Sequence, residues 1–95
     1  MNSPDLYFTK TAIKSFKSII AHTQETSLIA AEKLRAKIFH KLRSVRHHPE
    51  QGSKTVIFEG IQGNYRLATA LHVKIYYKVE EERLVVVELL LDKGS

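Results

Sequence analysis

Apolar residues recur every three to four positions through the first half of the chain and every second position through the last third. This pattern predicts two helices followed by a sheet. Ala12, Ile13, Phe16, Ile19 and Ile20 share one helical face, and Lys10, Lys14 and Lys17 share the other. Thr9 or Thr11 can cap this first helix, and the short apolar run Leu6-Tyr7-Phe8-Thr9 before it predicts a strand. The periodicity lapses around His22-Thr23-Gln24-Glu25-Thr26, after which Thr26 or Ser27 can open a second helix. Its apolar stripe is Leu28, Ala31, Leu34, Ile38, Leu42 and Val45, widened by Phe39, so it is expected to end at Val45 or Arg46. Neither stripe makes a core alone. The two helices are expected to pair antiparallel and to hide their remaining apolar surface against the sheet.

The segment His47-His48-Pro49-Glu50-Gln51-Gly52-Ser53 is a breaker, because Pro49 disfavours helix at His48. Thr55–Glu59 predicts the next strand, with Gly60–Asn64 as its turn and Tyr65–Leu71 returning. In His72–Val79 the residues Val73, Ile75, Tyr77 and Val79 alternate with Lys74, Tyr76 and Lys78. Glu80-Glu81-Glu82-Arg83 makes a charged turn into Leu84–Leu91, which is apolar on both faces apart from Glu88, as in a central strand. The expected fold is α+β: an N-terminal strand, an antiparallel helix hairpin, then a three- to four-stranded antiparallel sheet packed against the helices. One domain is expected over residues 1–95. The helices should cover one face of the sheet, and the other should carry Lys74, Tyr76 and Arg66.

Composition narrows the chemistry. A chain of 95 residues without cysteine has no disulfide, thiolate zinc site or cysteine nucleophile, and it suits a reducing cytoplasm. No basic region leads into an apolar run at the N-terminus, and no stretch nears the roughly 18 apolar residues of a membrane span, so a soluble cytoplasmic protein is expected. The formal charge of +5 is uneven. Residues 1–54 hold ten Lys or Arg against four Asp or Glu, whereas residues 55–95 hold five against six. The positive field belongs to the helical half, where it can attract nucleic acid or an acidic protein segment.

Metal-free RNA cleavage requires deprotonation of a 2′-hydroxyl, stabilisation of the phosphorane and protonation of the leaving oxygen. Arg66, Lys74, His72 and Tyr76 stand at spacings that can converge on one phosphate, and Lys54 at the mouth of the preceding strand can join them. The bland alternative is a solubilised sheet face, with Arg66 paired to Glu59 or Glu88. His47-His48 with Glu50 specifies no further metal ligands, and no phosphate-binding glycine loop or nucleophile motif is present, so neither metal nor cofactor is expected. Tyr7, Tyr65, Tyr76 and Tyr77 can stack on bases or form protein contacts. An exposed strand edge and a groove beside the helix hairpin would suit an acidic partner segment.

The order of these motifs resembles the RelE/ParE superfamily of bacterial type II toxins. The resemblance runs from Leu6-Tyr7-Phe8-Thr9 through His48-Pro49-Glu50-Gln51-Gly52 to Gly63-Asn64-Tyr65-Arg66 and His72-Val73-Lys74-Ile75-Tyr76-Tyr77-Lys78-Val79. It implies a toxin neutralised by a cognate antitoxin in a hetero-oligomer. One branch of the superfamily cuts messenger RNA in the ribosomal A site using Arg and Lys on the sheet and a Tyr or His near the C-terminus. The other branch lacks that set and poisons DNA gyrase. Arg66 matches the basic position of the third strand, Lys74 a position where many members have Arg, and Lys54 only loosely a basic position near the second strand. After Leu91 the chain reads Asp92-Lys93-Gly94-Ser95, without the terminal Tyr, His or Arg expected of a ribonuclease, although His72 can carry a proton instead. Residue patterns alone leave both targets open, together with a small basic nucleic-acid-binding or adaptor domain and a family member that has lost toxicity.

Overall fold

The computed structural model describes residues 4–58 and 61–92, with the side chains of 54–58 and 61–64 left out of the description. The elements follow the order β1 (Asp5–Phe8), α1 (Lys10–Thr26), α2 (Leu28–His47), a 3-10 turn (Pro49–Gln51), β2 (Ser53–Phe58), β3 (Ile61–Ala70), β4 (Val73–Glu80) and β5 (Arg83–Leu91). The strands form one sheet in the order β1-β5-β4-β3-β2. The last four strands are antiparallel, and β1 runs parallel to β5 at the far edge. This is the expected α+β architecture, with the N-terminal strand built into the same sheet as the rest.

Both helices begin where a hydroxyl satisfies an otherwise orphaned amide. Thr9 Oγ1 accepts from Ala12 N at 3.1 Å, and Ser27 Oγ accepts from Ala30 N at 3.1 Å. Thr9 also donates to Val87 O at 3.2 Å. Val87 is the extra residue of a bulge, because Tyr76 pairs with Glu88 while Tyr77 pairs with Val86. One hydroxyl therefore starts α1 and takes up a carbonyl that the bulge leaves without a regular ladder partner.

Ala12, Ile19 and Ile20 of α1 and Ala31, Leu34, Ile38, Leu42 and Val45 of α2 pack on Ala68, Ala70, Val73, Ile75, Tyr77, Leu84, Val86 and Leu89 of the sheet. The expected stripes are the observed core, with four exceptions that remain exposed: Ile13, Leu28, Phe39 and Val79. A fully buried Leu or Ile of this kind stabilises by roughly 1.5–3 kcal/mol relative to exposure.

Two sequence expectations shift. The returning strand β3 begins at Ile61, so residues 61–64 are strand where a turn was expected, and Glu59 and Gly60 lie outside the described residues. The charged turn narrows to Glu81 and Glu82, at φ 49° and 62°. Two successive left-handed residues give the tight hairpin geometry that matches strand twist, but Asn-Gly is the pair that adopts it without strain.

Candidate functional site

Arg66 and Tyr77 are direct partners across β3 and β4, so both point to the helix side of the sheet. Tyr77 is fully buried, and its hydroxyl donates to Pro49 O at 2.6 Å and accepts from Gly52 N at 3.1 Å. Arg66 Nη1 donates to Gly52 O at 2.7 Å and to Glu50 O at 3.1 Å. The two side chains thus fasten the 3-10 turn between α2 and β2 onto the sheet. Gly52 has an ordinary extended conformation, and it is glycine for want of space: an added Cβ would lie 2.9 Å from Cε1 and Cζ of Tyr77 and closer still to its hydroxyl. Burial pushes the Tyr77 phenol above its ordinary 10.0. The Gly52 amide and the Arg66 charge partly offset that rise, and the Glu50 charge adds to it.

Lys74 and Tyr76 lie on the other face. Their cross-strand partners are Thr69 and Leu67 on β3 and Leu90 and Glu88 on β5, none of which points toward the helices. The expectation that Arg66 shares their face is therefore corrected, because the Arg66–Tyr77 register places it on the opposite side. Its fork is turned toward backbone carbonyls and not toward Glu88. His72 is an exposed turn residue whose carbonyl accepts from Asp92 N at 2.6 Å. Lys54 is the register partner of Arg66 on β2. Among the candidate residues whose side chains are described, Lys74 and Tyr76 alone stand together on the open face, two residues apart on one strand.

That open face is mixed in charge. Lys78 Nζ lies 5.6 Å from the Tyr65 ring centroid and 3.4 Å from Glu80 Oε2, and the Arg83 guanidinium lies 5.0 Å from the Tyr7 ring. Lys74, Lys78 and Arg83 are accompanied there by Asp5, Glu80 and Glu88, so among the described side chains the face is close to neutral. Among the described residues no group of three or more His, Asp or Glu is placed to hold a metal ion.

A second site lies at the β1 edge. Phe8, Phe16 and Phe39 meet with ring centroids 6.2, 6.3 and 5.5 Å apart, and Phe39 remains 40% exposed. They line a groove of about 650 Å³ with Leu6, Ile13 and Ile20, rimmed by Lys17 and Arg35. Arg35 stacks over Phe16 at 5.7 Å from the ring centroid. Along the groove runs an unpaired strand edge. Asp5 N bonds Glu82 O and Thr9 N bonds Val86 O, so these residues face β5, and the alternation turns the amides and carbonyls of Leu6 and Phe8 outward. The strand edge and hairpin groove were foreseen from sequence. The aromatic triad was not, since its members come from three separate elements.

No described helix is long and apolar enough to cross a membrane. A family model described as "ParE toxin of type II toxin-antitoxin system, parDE" matches residues 6–93. No curated protein matches. A solved structure titled "Chromosomal ParDE TA system from P. aeruginosa" superposes with a TM-score of 0.70 at 15% identity, covering 94% of this chain and 96% of that one; at this identity the likeness speaks for the fold. With the family model spanning all but a few terminal residues, the chain belongs to the ParE toxin family of type II toxin–antitoxin systems.

Proposed function

We propose that this chain is a toxin that arrests growth by poisoning DNA gyrase and is neutralised by an acidic antitoxin segment. The observation that carries the choice of target is the division of the basic residues between two sheet faces. Ribonucleolytic chemistry requires cations and a proton carrier around one phosphate. Arg66 instead spends two hydrogen bonds on the carbonyls of Glu50 and Gly52, across the sheet from Lys74 and Tyr76. For the antitoxin, the groove offers aromatic anchors with a cationic rim, and the Leu6–Phe8 edge can hydrogen-bond an extended segment.

Induced expression in cells, with and without a small acidic protein encoded beside the gene, tests both halves. The expected outcome is growth arrest relieved by the acidic partner, with plasmids losing negative supercoiling and transcripts intact. Cleaved transcripts with normal supercoiling would transfer the chain to the ribonuclease reading, for which the adjacent Lys74 and Tyr76 on the open face are the supporting feature. Normal growth on expression alone would reject toxicity.

A further inference from the structure

Helix α2 holds more positive charge than its fold requires. From Lys33 to Arg46 it contains Lys33, Arg35, Lys37, Lys41, Arg43 and Arg46 and no acid. Two of these are engaged on the groove side, Arg35 over the Phe16 ring and Arg46 through Nε to Pro4 O at 2.9 Å. The other four make no ion pair among the described residues, where the two salt bridges are His22–Glu25 and Lys78–Glu80. Lys33, Lys37 and Lys41 follow one another at i, i+4 spacing, so each repels the next along the helix. A helix that needed these cations only for solubility would gain by interspersing glutamate, and the balance is restored when a polyanion covers the row.

This row lies away from the groove. Lys37 and Lys41 are each two residues from Phe39, roughly 200° around the helix, so a segment filling the groove leaves them free. Lys33, Lys37 and Arg43 are exposed and Lys41 half-buried, with Ala36 and His40 between them. The flank is made mainly of point charges and small or polar residues, with exposed apolar side chains at its borders: Ile29 one turn before Lys33, and Phe39, which lines a shallow depression with Ala36, Lys37, His40 and Arg43. Its three lysines span about 12 Å in a straight line. The same length of duplex axis presents about seven phosphates.

We propose that this flank of α2 binds the phosphate backbone of duplex DNA without reading sequence. Such contact would concentrate the protein on the polymer its proposed target acts upon, yet it stands on the charge geometry alone and does not depend on that target. The test is fluorescence anisotropy of the purified full chain with a labelled duplex of about 25 base pairs of arbitrary sequence, across a salt series. The wild type should bind with a steep salt dependence. The double variant Lys33→Gln/Lys37→Gln should reduce the slope of log K against log salt by about two and weaken binding on the order of tenfold or more at about 0.1 M salt. The double variant Lys10→Gln/Lys14→Gln removes the same charge from α1 and should change the slope by less than about one. Circular dichroism confirms that each variant is folded. Equal losses in the two variants would reduce the effect to net charge and overturn the proposal. So would absence of binding at low salt, or tighter binding of a glutamate-rich peptide than of the duplex.

Discussion

The two faces of the sheet use their basic residues in opposite ways. On the helix side Arg66 and Tyr77 are bound to backbone groups of the turn at Pro49–Gly52, and their chemistry is consumed in holding the chain together. On the open side Lys78 stands over Tyr65 and beside Glu80, Arg83 stands over Tyr7, and Lys74 is half-buried on the same face. Similar residue types thus make a lock on one face and an unlocked surface on the other. A basic residue on a strand is not a site until its face and its hydrogen bonds are known.

The contrast predicts that substitutions on the helix side cost stability and those on the open side do not. Tyr77→Ala should have the largest effect, destabilising by about 3–5 kcal/mol in urea denaturation. Gly52→Ala should follow at about 1–3 kcal/mol, because the new methyl group meets the Tyr77 ring. Arg66→Ala should cost about 1.5–3 kcal/mol by releasing two carbonyls, whereas Lys74→Ala should stay within about 0.5 kcal/mol of wild type. An Arg66→Ala protein as stable as Lys74→Ala would remove the distinction between the faces.

A pH series sharpens the same comparison. The folded-state pKa of Tyr77 is raised above 10.0, so the folded chain keeps a proton that the unfolded chain releases. Its contribution to stability is complete below about pH 10 and is lost as pH rises from there through the folded-state value. Tyr77→Phe should flatten that alkaline decline while lowering stability at neutral pH, since Gly52 N and Pro49 O lose their partner. The smallest expected effect is a gain. Replacing Glu81 and Glu82 by Asn and Gly should stabilise by about 1 kcal/mol by relieving the left-handed backbone, read as a higher urea midpoint.

The fold was legible in sequence because its signals are local and periodic. The apolar stripes of α1 and α2, the Ser/Thr caps and the alternation in Val73–Tyr77 each declare an element through neighbours within a few positions. The face of Arg66 was not legible, because it depends on the β3–β4 register, and the residues beside it do not alternate clearly enough to set that register. The role of Tyr77 was hidden for a related reason. It reads as one more core residue until the distant turn at Pro49–Gly52 is seen against its hydroxyl. The Phe8–Phe16–Phe39 cluster likewise joins three elements that sequence places far apart.

The most direct measurement of the central claim is a supercoiling assay with purified DNA gyrase, run beside a cleavage assay on translating ribosomes with the same preparation. The account predicts that the chain stops supercoiling, that an acidic antitoxin segment restores it, and that messenger RNA emerges uncut. Efficient cleavage of messenger RNA with gyrase unaffected would contradict it, and would show that an active centre assembles despite the separation of Arg66 from Lys74 and Tyr76.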